Sequence, residues 1–369
     1  MKRRYKILIG VAGVLFVGYA ALCLTVSHDS PCPPVPTLAA GTVTMRSITQ
    51  RCYGIPPQGV RVENVAKPTP TENQVLIKVH ASSINPVEWY GTSGQPRIMR
   101  LQGGIGLPSD WKLGYDMAGT VEAVGSKVTR FKPGDEVYGG VHGALAEYVV
   151  AREAGSIVLK PPNLSFEEAA GIPIAGITAL QGLRDTGGLK PGQKVLINGA
   201  SGGVGTYAVQ IAKALGADVT AVCSTHNVEM VRSLGADHVI DYTRENFTAG
   251  TVRYDLILDN VGSQGFHAMA GVMKPEGVIV VVGGSKKGAM LGPIKRVGWS
   301  KVVGPFIKPR IAFFIANVNK EDLEFLATLA RNGKLKTVID RRYPLEQTGA
   351  ALAYLGEGHA RAKVIVDLD

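Results

Sequence analysis

Apolar positions follow different rhythms in different parts of the chain. From residue 194 onward, runs dense in Val, Ile and Leu (194–198, 217–222, 237–241, 254–259 and 277–282) alternate with helix-like stretches at 206–216, 227–234 and 265–273. Strands that are apolar throughout are buried on both faces, and the intervening helices supply the cover. This predicts a doubly wound parallel sheet, with ligands at the carboxyl ends of its strands. Upstream, short β-like segments at 59–65, 74–82, 118–124 and 145–150 are separated by turns such as Pro133-Gly134-Asp135. That pattern predicts a compact, mostly antiparallel domain. Helical stretches at 321–331 and 345–355 and a strand at 362–366 close the chain. Two domains with a ligand cleft between them follow.

A third pattern opens the chain. Lys2, Arg3, Arg4 and Lys6 precede an uncharged run over residues 7–26. At about 1.5 Å per residue such a helix matches a hydrocarbon core of roughly 30 Å. It also exceeds the apolar region of about 7 to 15 residues in a signal peptide, the competing reading, for which Ala20 and Ala21 are the small residues near a cleavage point. The expectation is a single-pass membrane anchor, its basic flank favouring a cytoplasmic N-terminus. Residues 27–45, with Pro31, Pro33, Pro34 and Pro36, read as an extended tether.

Composition and charge narrow the function classes. The formal charge of +10 includes the basic start, and the remaining cations, among them Lys286-Lys287 and Lys295-Arg296, are scattered. No aromatic-studded basic stripe exists, which argues against nucleic-acid binding. The Gly-rich basic segment 283–309 reads as a loop near a ligand or as a solvated face. Four cysteines, Cys23, Cys32, Cys52 and Cys223, offer no Cys-x-x-Cys pair or zinc-ligand spacing. Cys32 and Cys52 read as free thiols near the tether, with pairing as the alternative for a body outside the cytoplasm.

The sharpest chemical signal is Gly199-Ala200-Ser201-Gly202-Gly203-Val204-Gly205, set between the strand at 194–198 and the helix at 206–216. Glycines there allow close backbone approach, and the N–H groups at a helix N-terminus suit a pyrophosphate. Sites that prefer NAD carry a carboxylate about 20 positions further on. Here Ser224, Thr225 and His226 occupy that stretch without a carboxylate, which favours NADPH, whose 2'-phosphate those donors suit. Helix capping is the plainer role for the same hydroxyls.

Several motifs then carry a resemblance: Asn85-Pro86-Val87-Glu88-Trp89, Leu113-Gly114-Tyr115-Asp116-Met117-Ala118-Gly119, Phe131-Lys132-Pro133-Gly134-Asp135-Glu136-Val137, Gly143-Ala144-Leu145-Ala146-Glu147-Tyr148 and Ala169-Ala170-Gly171. From about residue 60 to the end, the chain resembles the medium-chain dehydrogenase/reductase superfamily in its zinc-independent, quinone oxidoreductase-like branch. The resemblance implies a GroES-like, mainly β catalytic domain (46–163, completed by 311–369) around a Rossmann domain (164–310). The anchor (1–26) and tether (27–45) fall outside it. Zinc-dependent relatives have a cysteine where this chain has Asn85 and a His-Glu pair where it has Tyr115-Asp116, so a zinc-free site is expected, with Tyr115 filling space.

The implied reaction is hydride transfer from NADPH to a quinone or α,β-unsaturated carbonyl, with solvent able to supply the final proton. Asn85 matches a family residue beside the nicotinamide ribose or substrate, and Tyr90 is a candidate hydroxyl donor. Thr178 and Asn260 fall on the nicotinamide side, Tyr242 near the 2'-phosphate, and Lys363 at a cofactor-contacting position, where Ala362 replaces the usual glycine. Gly283, at the end of the strand at 277–282, completes the cofactor set. His226 stands where relatives often carry Arg or Lys. Dimerisation is common in this family. A zinc-independent ketone reductase and a catalytically idle, membrane-tethered nucleotide-binding protein are the alternative readings.

Overall fold

A computed structural model describes residues 16–284 and 288–369. Its first pairing is a two-stranded antiparallel ribbon, β1 (Thr44–Thr49) with β2 (Arg61–Ala66). The strands β3 (Gln74–Ile84), β4 (Asp116–Val124), β5 (Glu136–Gly140), β6 (Tyr148–Arg152) and β7 (Ile157–Leu159) follow. Next come β8 (Lys194–Asn198), β9 (Asp218–Cys223), β10 (His238–Asp241), β11 (Tyr254–Asp259), β12 (Met273–Val281) and β13 (Arg310–Phe313), then β14 (Ile339–Pro344) and β15 (Lys363–Asp367).

The middle group forms a six-stranded, all-parallel sheet in the order β10-β9-β8-β11-β12-β13. Val195, Ile197, Val219, Ala221, Leu258 and Val280 are buried on one side, and Leu196, Val222, Ile257, Ile279 and Val281 on the other, as continuous apolar strands require. The remaining large sheet runs β14-β15-β3-β4-β5-β7, with β6 paired to β3. Only its β14/β15 edge is parallel. Because β15 comes from the far end of the chain, the C-terminal segment completes the sheet begun before residue 160 and returns the chain to the glycine turn.

Two expectations about the start of the chain are corrected. Among the described residues, no helix is long and apolar enough to cross a membrane. Among the described residues, 16–27 are helical, and residues 7–15 of the expected span lie outside the described residues. The far end of the expected span belongs to the folded body: Val26 is fully buried, and the Arg100 guanidinium donates to the carbonyls of Val26 (3.3 Å) and His28 (3.2 Å) and pairs with Asp29 at 2.7 Å. Val26 is thereby committed to the folded body rather than to lipid. The transmembrane helix, the membrane partner and the single-pass localisation are therefore withdrawn.

The second correction concerns the cysteines. Cys32 and Cys52 form a disulfide rather than two free thiols, because Ser30 N–H bonds Gly106 O at 3.0 Å and holds the supposed tether against the body. The basic segment after β12 also differs from a bare loop. It contains a helix, Ile294–Val303, and the carbonyls of Ala289 and Met290 accept from the N–H groups of Arg97 (2.7 Å) and Ile98 (3.2 Å). These bonds tie the two halves of the molecule together.

Candidate active site

The glycine turn joins β8 to the helix Gly203–Ala214. Gly199 needs its φ of +80°, a conformation costly for any residue with a Cβ. A Cβ on Gly205 would lie 2.1 Å from Gly199 O, so that glycine lets the helix pack on the turn. The first-turn N–H groups of Gly203, Val204 and Gly205 precede the helical ladder and are the natural donors to an anion. Across the sheet, Asn260 follows β11 and donates its amide to Asn198 O at 3.0 Å, while its Oδ1 is buried without a partner. Gly283 lies close enough to Asn260 that a Cβ would come within 2.1 Å of its carbonyl. An orphaned acceptor at the carboxyl edge of a parallel sheet, beside a donor-rich turn, fits a nicotinamide dinucleotide.

A buried polar cluster adjoins this turn. Three neighbouring strands build it: Asp116 opens β4, Asn85 follows the end of β3, and Lys363 opens β15. Lys363 Nζ donates to Asn85 Oδ1 at 2.7 Å, and Asn85 Nδ2 donates to Asp116 Oδ2 at 2.9 Å. Nζ stands 3.6 Å from that same carboxylate oxygen. Ser83 Oγ (2.7 Å) and the Ile174 N–H (2.9 Å) also donate to Asp116. Glu88 accepts from the Asn85 N–H at 2.8 Å.

Charge in this cluster is set by burial. Desolvation, reinforced by Asp116, pushes the Glu88 carboxyl from its ordinary 4.5 up to about 8, so it is mostly protonated at neutral pH. Burial lowers the Lys363 ammonium, opposed by Asp116 and then Glu88. The cluster touches the cofactor turn directly. Gly202 bridges Ala362, Ala362 N–H donates to Ser201 O at 2.8 Å, and Lys363 Cδ passes 3.5 Å from where a Gly203 Cβ would stand.

Of the residues singled out in the sequence, Asn85, Lys363, Ser201, Gly202 and Gly203 therefore gather in one place. Thr178 is half-buried, one turn beyond Ile174 on the helix Pro173–Leu180. Tyr90 is half-buried in the helix that Asn85 precedes, with its ring 5.5 Å from that of Trp89. The Tyr115 ring lies against Gly140, leaving no room there for a Cβ (2.1 Å). Ser224, Thr225 and His226 follow the end of β9 and Tyr242 the end of β10, the last three exposed.

That end holds a carboxylate missed in the sequence. Asp241 closes β10 opposite Cys223, and its oxygens accept from Thr225 Oγ1 at 2.6 Å and Thr243 Oγ1 at 2.7 Å. Its carboxyl is held below the usual range, chiefly by the Thr225 bond. Glu88 and Asp116 were also missed, although both lie inside quoted motifs. Glu88 stands three residues after Asn85, the spacing at which a carboxylate reaches back to a helix-start N–H. No comparable local signal marks Asp116, whose partners come from distant segments.

Among the described residues, no group of three or more His, Cys, Asp or Glu could hold a metal ion. Residues 71–163 match the family described as alcohol dehydrogenase GroES-like domain, and residues 234–366 the one described as zinc-binding dehydrogenase. The chain is 35% identical over 338 residues to the chloroplast envelope quinone oxidoreductase homolog of Arabidopsis thaliana, covering 88% of this chain and 98% of that one. It is 38% identical over 317 residues to the 2-methylene-furan-3-one reductase of Solanum lycopersicum, covering 82% and 74% respectively. Among solved structures, the quinone oxidoreductase from Coxiella burnetii is similar with a TM-score of 0.76 at 32% identity, over 89% of this chain and 100% of that one. Sheet order, glycine turn and relatives agree: the chain belongs to the medium-chain dehydrogenase/reductase superfamily, in its quinone oxidoreductase-like branch of NAD(P)H-dependent oxidoreductases.

Proposed function

We propose that this protein reduces a quinone or an α,β-unsaturated carbonyl with NADPH and without zinc. The observation that carries this reading is the contact between the two halves of the site, where Lys363 runs beside Gly203 of the glycine turn to reach Asn85. When bound, the reduced nicotinamide supplies a hydride to the electrophilic carbon of the substrate. The chain's own residues bind and orient. Gly199, Ser201, Gly202, Gly203, Val204 and Gly205 offer backbone to the pyrophosphate. Thr178, Asn260 and Gly283 line the nicotinamide end. Ser224, Thr225, His226 and Tyr242 receive the adenosine end, where the Asp241 oxygens are already occupied by Thr225 and Thr243.

Conjugation in a quinone or enone carries the charge left on the substrate oxygen, so a buried amide donor such as Asn85 suffices where a simple ketone calls for stronger polarisation. Tyr90 is the second candidate donor, and water supplies the proton that completes the product. The relatives named for quinone oxidoreduction and for reduction of a methylene-furanone support the same substrate class. The test is NADPH oxidation by the full-length protein against a panel of quinones, enones and simple ketones, with calorimetric titration of NADPH and NADH. Turnover of quinones or enones, with NADPH bound at least tenfold more tightly, is expected. Turnover confined to ketones, or equal affinity for the two cofactors, overturns the corresponding part of the proposal.

A further inference from the structure

We propose that Lys363 and Asp116 are positioning residues that clamp the Asn85 amide in one orientation, so that its remaining N–H is held for the substrate oxygen. This rests on the reduction proposed above and names how its amide donor is held. An asparagine amide can ordinarily flip, exchanging donor and acceptor ends. Here it cannot. The Lys363 ammonium has only hydrogens to give, and it meets Oδ1 at 2.7 Å; the Asp116 carboxylate accepts at 2.9 Å from Nδ2. Turning the amide over would set NH2 against the ammonium and oxygen against the carboxylate, two repulsions in a site where Asn85, Asp116 and Lys363 are 3%, 0% and 2% exposed.

The ion-pair geometry supports this role. Lys363 Nζ and Asp116 Oδ2 stand 3.6 Å apart, and each makes a shorter bond to the amide than it makes to the other. The two bonds occupy one Oδ1 lone pair and one of the two Nδ2 hydrogens, leaving one hydrogen for a ligand. Asp116 is itself anchored by Ser83 and by the Ile174 N–H, so the carboxylate is fixed from two elements before it touches Asn85.

The inference is tested on the full-length variants K363M, K363R, D116N, N85A and the double variant N85A/K363M. Removing a preorganised donor to a developing oxyanion costs about 10²- to 10³-fold in kcat, so N85A is expected in that range. K363M and D116N should each lose at least tenfold in kcat while NADPH affinity stays within twofold, and K363R should recover most of the loss. The double variant should be no worse than N85A, because Lys363 acts through that amide. In the cofactor-free protein, the Asn85 side-chain N–H signal, assigned by its absence in N85A, should be exchange-protected and lose at least tenfold of that protection in K363M or D116N.

Multiplying losses in the double variant would overturn the clamp. NADPH affinity falling in step with kcat would make Lys363 a cofactor contact instead. An Asn85 amide unprotected in the wild type would also end the inference, independently of turnover. A wild type inactive on every quinone and enone, yet with a protected amide that responds to K363M, would sink the proposed reaction and leave the clamp without a substrate to serve.

Discussion

Two buried ion pairs, one at the parallel sheet and one in the other large sheet, differ in geometry. Asp259 closes β11 with no exposed side-chain area and meets Arg296 directly at 2.5 Å. Its other bonds are internal as well, from Asn198 Nδ2 at 2.8 Å and the Gly262 N–H at 3.0 Å. Arg296 also lies over the Phe266 ring, 4.4 Å from its centroid. Lys363 and Asp116 are as deeply buried but stand 3.6 Å apart, with Asn85 taking the shorter bonds. The first pair fastens the helix Ile294–Val303 to the parallel sheet. The second holds a neutral amide between opposite charges. Burial and charge alone do not separate a fastening from a positioning device; the bond lengths do, together with an amide that is bonded to both charges, as Asn85 is and Asn198 is not.

If the Asp259–Arg296 pair is a fastening, breaking one side of it should have the largest effect. D259A leaves a guanidinium at 14% exposure without its carboxylate, at an expected cost of about 3–5 kcal/mol in denaturant unfolding. D259N/R296M, which removes both charges, should recover at least half of that. Because D259N keeps an Oδ1 acceptor for Asn198 and Gly262, a double variant as unstable as D259A would show that the unpaired guanidinium is not what makes D259A costly.

The catalytic-side cluster should show itself through pH. Because the folded state raises Glu88 from 4.5 to about 8, the unfolded chain releases this proton first as pH rises. Stability is therefore unaffected by Glu88 below about pH 4.5, falls between there and about pH 8, and levels off above. The slope is at most about 1.4 kcal/mol per pH unit for one proton. E88Q keeps an acceptor for the Asn85 N–H but cannot titrate, so its unfolding free energy relative to wild type should grow across that window. Parallel curves for the two proteins would mean that Glu88 is already ionised in the fold.

The same contrast explains what could be read in the chain. The parallel sheet was legible because each strand–helix repeat is local, and a run such as Val195-Leu196-Ile197 carries its own burial signal. Gly199 and Gly205 were legible because a tight turn and a close approach leave a spaced glycine pattern. The Asn85–Lys363–Asp116 cluster was legible only in pieces, since its members are 278 and 31 positions from Asn85 and meet through strand order alone. Asp241 was missed for a related reason: its carboxylate reaches the end of β9 from the neighbouring strand. The anchor reading failed at its far end, where Val26 is buried and its carbonyl is held by Arg100 from a segment more than 70 positions away, a contact that apolar length does not reveal.

The smallest expected effect lies where the two halves touch. Ala362 is the one non-glycine residue among the described residues with positive φ, at 59°. It must adopt that turn because its N–H donates to Ser201 O while Lys363, next in sequence, enters the cluster. A left-handed conformation costs an L-residue about 1–2 kcal/mol, whereas glycine gives back about 0.4–1 kcal/mol through its freer unfolded chain. Ala362 is only 4% exposed, and burial of its methyl offsets part of the remainder. A362G should therefore gain only about 0.5 kcal/mol in denaturant unfolding, with NADPH affinity unchanged because the N–H to Ser201 is kept. A loss of more than about 1 kcal/mol would mean that methyl packing outweighs backbone strain, and weakened NADPH binding would mean that the methyl helps to shape the glycine turn.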